Sequence, residues 1–321
     1  MLCIADAAEI VKQPSWIAAQ CFHILLSVAT LILSVKFIFN LKKSTILNVS
    51  AVILLLLFTA FANLHAVMLL GIQIRELVNN ALYTDTCHLT LKTSTCAIPN
   101  YVMMFCVMGM MLSQHILWLD RFFATFLAKF YRQWSKTLAV CLCLLTIATS
   151  ILVPFILFHN DPYDDAVLTC LSTSAASDVK INRLFYSFIA MALLAITANV
   201  WLFVINRHKQ KAFRFNVTHR FEAYENVLLT KWIGLVASVQ FFFMTTYSLA
   251  IFLIRTRCRN SPNVTKQVIA NWFYLVPLAT LSLPLISLLV IHHSARKRMV
   301  SIRRMTSQRS DHMVHLVKMW S

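Results

Sequence analysis

Seven stretches of about 20 or more mostly apolar residues follow one another along the 321 residues, and they restrict the fold more than any other feature. They run over Trp16–Phe39, Ile46–Ile72, Ile98–Leu119, Thr137–Phe158, Leu184–Ile205, Val227–Ile254 and Val268–Ile291. A hydrocarbon layer ~30 Å thick, crossed at ~1.5 Å per helical residue, sets that length. Inside lipid every backbone N–H and C=O must find its partner within the protein, which leaves helices and closed barrels. The alternation of a barrel strand is absent, so the runs predict helices. The expected fold is an all-α membrane protein, a seven-transmembrane helix bundle. The third run is the least uniform, because Ser113, Gln114 and His115 fall in its second half. Without it six spans would remain and both termini would share one side.

Composition agrees: 59% of residues are hydrophobic and only 13% charged, and the mean hydropathy is +0.70. Three glycines and seven prolines leave no flexible linker. No repeat period is present, so the chain divides simply into an N-terminal segment (1–15), the bundle (16–293) and a basic tail (294–321). Asp6, Glu9 and Lys12 precede the first run where a signal peptide would carry a basic segment, which predicts a retained first span.

A net charge of +17 can mark a nucleic-acid binder, but here the basic residues sit in short connections between apolar runs. The connections after spans 1, 3, 5 and 7 hold 20 of the lysines and arginines, and the opposite side holds 9. Acidic residues take the reverse preference, leaving +16 on one side and +1 on the other. The basic side is expected to be cytoplasmic, with the N-terminus outside the cell. Arg255, Arg257, Arg259 and Lys266 dissent, crowding the outer connection between spans 6 and 7. In the tail, Ala295, Met299, Ile302 and Met305 form one stripe among Arg296, Lys297, Arg298, Arg303 and Arg304. That pattern predicts a short amphipathic helix lying on anionic membrane lipids.

Five of the nine cysteines, Cys3, Cys87, Cys96, Cys170 and Cys258, fall on the predicted outer side, where disulfides persist. A Cys96–Cys170 bridge would tie the longest outer loop over the bundle, and a Cys87–Cys96 bridge is the alternative. Of the sequons at Asn48, Asn216 and Asn263, only Asn263 lies on the outer side and is a glycosylation candidate.

No span carries a Lys, Arg, Asp or Glu near its centre. A central charge costs about 2.5–3.5 kcal/mol on insertion scales and marks function, so its absence argues against pumps, proton relays and charge-lined channels. The seventh span also has no lysine for a retinal Schiff base. His23, His65, His115, His292 and His293 are scattered and form no metal-ligand spacing. Neither an enzyme nor a metal or other cofactor is expected.

Asp120-Arg121 at the inner end of span 3 is more informative. An interfacial arginine obeying the charge rule is the simplest account of it. Against that account, Arg121 lies 25 residues after Cys96, so the two bracket the span, and Asp120 can orient the guanidinium. Glu225 opens span 6 from within a basic connection. A charge-assisted contact between Arg121 and Glu225 would separate when the helices move, giving a two-state element.

A cysteine at the outer end of span 3 with Asp-Arg-Phe-Phe-Ala-Thr (Asp120–Thr125) at its inner end resembles rhodopsin-type receptors. More narrowly, the chain is similar to the nematode serpentine chemoreceptors of class alpha and class alpha-beta. Cys87 and Cys96 stand before span 3, as in those receptors. Arg220-Phe221-Glu222-Ala223-Tyr224-Glu225-Asn226 matches their Arg-Tyr-Gln-x-x-Glu-Asn-like entrance to span 6. Cys3 with Ala8-Glu9-Ile10 leans toward alpha-beta. The resemblance departs in having no proline in span 6 and no Asn-Pro-x-x-Tyr in span 7, where Ser282-Leu283-Pro284 is nearest.

This resemblance implies a chemosensory G-protein-coupled receptor in a plasma membrane, in sensory neuron cilia. It implies a small-molecule ligand, a heterotrimeric G protein as partner, and Asp120, Arg121 and Glu225 as the switch. The residues expected at the ligand are Tyr101, Met104, Phe105, Phe185, Tyr186, Tyr247, Trp272 and Phe273 in the outer helix halves, where an interfacial aromatic belt is the competing account. The alternative function is a ligand-gated cation channel of the insect odorant-receptor kind, with inverted topology.

Overall fold

Long apolar runs wind into long helices because lipid offers the backbone no other partner. A computed structural model describes residues 6–43, 47–83, 86–159, 166–171, 178–212, 217–257, 263–293 and 296. Its elements are α1 (Ala7–Val11), α2 (Pro14–Lys43), α3 (Val49–Leu82), α4 (Thr86–Leu89), β1 (Leu91–Lys92), α5 (Thr93–Phe126), α6 (Ala128–Phe158), β2 (Ala166–Val167), α7 (Asp178–Ala212), α8 (Val217–Arg257) and α9 (Asn263–Trp272). A final helix, α10, covers 276–293. Seven segments are long and apolar enough to cross a membrane: α2, α3, α5, α6, α7, α8, and α9 with α10 together.

The third span is a full span despite Ser113, Gln114 and His115, and it lies at the centre. Its apolar window is 61% buried, against 17% for the fourth span, which faces outward. The polar residues are accommodated because they bond within the bundle. Ser113 donates to the Gly109 carbonyl at 2.6 Å, and His115 lies 3.1 Å from the Met191 carbonyl of α7. Around α5 the core is filled by Leu54, Phe58 and Phe61 of α3, Met108 and Met111 of α5, and Trp232 and Leu229 of α8. Gly109 permits the closest approach: a methyl group there would lie 2.3 Å from the Phe61 ring.

The helices overrun the apolar stretches that announce them. α5 has 34 residues, or ~51 Å at ~1.5 Å each, well beyond a hydrocarbon layer of ~30 Å. Leu127 is the single non-helical residue between α5 and α6, so Lys129, Arg132 and Lys136 ride on helix where a loop is expected. The seventh span is broken. Pro277 has no N–H, and its ring would clash with the Phe273 carbonyl in a continuous helix; the helix stops at Trp272 and resumes at 276. α10 then runs on through Pro284.

At one end of the bundle Cys96 and Cys170 form a disulfide. Beside it β1 pairs antiparallel with β2, Leu91 opposite Val167. Cys87 is disulfide-bonded too, so Cys87–Cys96 is not the pairing adopted. α1 folds over the same end, burying Ala7, Ile10 and Val11 with Trp16, Leu89, Leu168 and Val268. We call this the disulfide end. The tail helix expected over Ala295–Met305 lies outside the described residues except for Arg296, which is helical.

Candidate functional site

A polar group in hydrocarbon must be paired inside the protein, so the buried polar side chains trace the bundle's specific contacts. Two sites emerge, at opposite ends of α5.

At the end away from the disulfide, Asp120 and Arg121 are buried, at 0% and 1% exposure. They form an ion pair through Arg121 Nη2 and Asp120 Oδ2, and Arg121 Nε donates to the same oxygen at 3.0 Å. Ser50 of α3 donates to Asp120 Oδ1 at 2.5 Å. The Tyr131 hydroxyl of α6 donates to the carboxylate at 3.1 Å and accepts from Arg121 Nη2 at 2.8 Å. Arg121 Nη1 donates to Asn226 Oδ1 of α8 at 3.0 Å. The Arg121 guanidinium also lies 5.7 Å from the centre of the Tyr131 ring. One turn on, Thr125 bonds Asn206 of α7 at 3.1 Å, and its carbonyl accepts from Lys209 at 2.6 Å. Spans 2, 3, 4 and 6 thus meet at one charge pair, and span 5 joins span 3 one turn beyond it. Buried ion pairs hold only when their remaining donors and acceptors are matched, and these are.

The partner from span 6 is Asn226. Glu225 lies in α8, but its side chain is outside the described residues. Sequence reasoning missed Ser50 and Tyr131. Tyr131 lies in a stretch whose basic residues read as a loop, and a serine near a span end carries no distinctive signal.

At the disulfide end a cavity of about 440 Å³ opens between spans 3, 5, 6 and 7, beneath Thr169, Cys170 and Leu171. That volume falls within the ~300–1,000 Å³ usual for small-molecule sites. Met104, Phe185 and Tyr247 line it. The other aromatic candidates lie elsewhere. Tyr101 donates to the Ile151 carbonyl of α6 at 2.7 Å, and Phe105 packs edge-on against Phe61 at 5.2 Å. Tyr186 is 56% exposed on the outer face of α7. Trp272 bonds Ser15 at 2.9 Å, and Phe273 is also exposed. Residues near a span end alternate between cavity and lipid within one turn, and the aromatic belt occupies the lipid side.

Tyr274, at the break in span 7, is one of the cavity residues that sequence reasoning passed over, as are Trp16, Lys266 and Asn271. Its ring meets Tyr247 at 5.6 Å edge-to-face, and its hydroxyl lies 3.1 Å from His65 Nε2 of α3. Glu76 of α3 is buried behind the cavity, accepting from Gln20 of α2 at 2.9 Å and from Thr169 at 2.5 Å. Between the two ends Gln114 of α5 donates to Gln240 of α8, which donates to the Ala279 carbonyl of α10 at 3.2 Å.

The profile of the family described as "Serpentine type 7TM GPCR chemoreceptor Sra" matches residues 2–320. The chain belongs to this family. It is 29% identical to serpentine receptor class alpha-10 of Caenorhabditis elegans, over 92% of this chain and 90% of that one. Serpentine receptor class alpha-1 of the same species is 25% identical over 98% and 97%, and class beta-17 is 23% identical over 93% and 83%. The chain is therefore a multi-pass membrane protein and a chemoreceptor of the seven-helix, G-protein-coupled type. Within that group the matching profile is Sra, whereas Cys3 and Ala8–Ile10 lean toward the alpha-beta class. Among the described residues, no three His, Cys, Asp or Glu side chains gather as a metal site. Asn263 is the first residue of α9, at the disulfide end.

Proposed function

We infer that this serpentine receptor binds a small organic cue in the cavity at the disulfide end and activates a heterotrimeric G protein at the Asp120–Arg121 end. The observation that carries the reading is the cavity itself, whose walls include spans 3 and 6, the two spans that also meet at Arg121. Spans 3, 6 and 7 contribute Met104, Tyr247 and Tyr274 to its wall, and the Gln114–Gln240–Ala279 chain links those spans halfway along. A cue that changes the spacing of these walls biases the whole set, because its binding free energy differs between the two arrangements.

At the other end Asp120, Ser50, Tyr131 and Asn226 hold Arg121 inward. Separation of span 6 from span 3 would break the Arg121–Asn226 contact and expose the guanidinium to a docking protein. Glu225, one residue before Asn226, is the carboxylate that would receive or release it. Charge asymmetry supports an N-terminus outside the cell and a basic face toward the cytoplasm, where the G protein and anionic lipids lie.

Replacing Arg121 by alanine tests the relay. Arg121→Ala is expected to abolish cue-evoked G-protein activation while surface expression is retained. Signalling equal to that of the parent receptor would remove the role assigned to this residue.

A further inference from the structure

The first helix of the broken span turns one stripe toward the cavity. Lys266, Gln267, Ala270 and Asn271 line it at the spacing of a single helical face, with Tyr274 just beyond the helix. Trp16, in the first turn of α2, lines the same end. Three of the polar groups here offer donors. An indole N–H donates and cannot accept, an amide nitrogen donates, and an ammonium only donates. Trp16 and Asn271 are 2% and 7% exposed, and Trp16 Nε1 and Asn271 Nδ2 are buried with no hydrogen-bond partner among the described residues. Orphaned buried donors are costly, and in native proteins they usually have a use.

The nearby carboxylate and hydroxyls are already committed. Both Glu76 oxygens receive hydrogen bonds, from Gln20 and Thr169, and Glu76 is not part of the cavity wall. The Thr169 hydroxyl in turn accepts from the Leu171 N–H at 3.2 Å. The Tyr274 hydroxyl lies against His65. Apart from Asn100, the rest of the wall is largely apolar, including Met103, Met104, Val107, Phe185, Met244 and Ile251. A ligand that complements this shape brings acceptors without donors at one end and hydrocarbon at the other.

We propose that the cavity takes a small amphiphilic carboxylic acid, its carboxylate held by Trp16, Asn271 and Lys266 and its hydrocarbon body lying among the methionines and aromatics of spans 3, 5 and 6. The carboxylate is acceptor-only when ionised and matches the donors that spans 1 and 7 bring to this cavity. An amine of the same length brings donors to donors and a positive charge to Lys266. This inference rests on the cavity being the cue site.

The test uses the purified full chain in nanodiscs with matched probes: octanoate, methyl octanoate and octylamine, then 4-phenylbutyrate, its methyl ester and 4-phenylbutylamine. Ligand that binds the folded state raises the thermal midpoint with concentration, which gives apparent affinities. Each acid is expected to bind at least about tenfold more tightly than its ester, with the amines weaker still. Asn271→Leu and Lys266→Met should each weaken acid binding by about tenfold and ester binding by less, and Lys266→Arg should retain it. Trp16→Phe, which keeps the ring and removes the N–H, should act as Asn271→Leu does. Continued ester binding shows that each variant is folded. Esters or amines binding as tightly as acids, or acids indifferent to all three substitutions, would overturn the carboxylate assignment. Met104→Trp, which fills the cavity, separates the two levels. If it abolishes ester binding while acids show no preference, the cavity is the cue site and the carboxylate inference fails. If no probe shifts the midpoint, or Met104→Trp leaves every shift intact, both fail.

Discussion

Arg121 shows how much one residue can be told from its neighbours. An Asp-Arg pair at the end of an apolar run is a local pattern, visible in sequence without knowledge of the fold. Its partners are not local: Ser50 and Asn226 lie 70 and 105 positions from the residues they bond. Tyr131 is near in sequence, but it reaches the pair only because α6 restarts after one non-helical residue. Tyr131→Phe removes a hydroxyl that both donates to Asp120 and accepts from Arg121. It is expected to destabilise the resting arrangement by about 1–2 kcal/mol and to raise cue-independent G-protein activation; basal activation in transfected cells reads this directly. Gly109 carries a different constraint. With the Phe61 ring 2.3 Å from any added methyl, and that ring held against Phe105, Gly109→Ala overpacks the α3–α5 contact at a cost of about 1–3 kcal/mol. The midpoint of the purified variant should fall, and Phe61→Leu in the same chain should restore part of it. An unchanged midpoint would show that the two helices are less closely packed than described.

Among the elements, the seven spans were legible because hydrocarbon thickness fixes a minimum run of apolar residues. Their ends were not. Beyond the membrane the helices continue on backbone hydrogen bonds that polar side chains do nothing to interrupt, so α5 begins at Thr93 and α7 ends at Ala212. The break in span 7 was hidden inside an unbroken apolar run, with Pro277 its one local sign. The loop carrying Cys170 was harder still, since its position depends on a bond to Cys96 across 74 residues, on β1–β2 pairing and on Thr169 meeting Glu76. These three ties predict a graded response. Cys170→Ser should lower the stability of the purified receptor by about 2–4 kcal/mol and weaken cue responses more than it lowers surface expression. Equal responses per receptor at the surface would show that the strand pairing and Glu76 hold the loop unaided.

For the molecule as a whole, the charge asymmetry makes the firmest prediction. With +16 of the net charge on one face, an epitope added before Met1 should stain on intact cells, and one added after Ser321 should stain only after permeabilisation. The reverse pattern would favour an inverted channel-like topology and would put Arg121 beyond the reach of any G protein. Family membership was legible from the residues flanking spans 3 and 6, but the cavity wall was not, because which side of a helix faces inward near a membrane surface is decided by packing. The interrupted seventh span gives the receptor something a straight rod would lack. α9 belongs mechanically to the cavity's neighbourhood, tethered to span 1 through Trp272 and Ser15, while α10 belongs to the centre, gripped by Gln240 and by Trp232 through Ser287. With a cue in the cavity, the chain between them would be an elbow, where a displacement of the upper limb reaches the lower one through the residues around Tyr274.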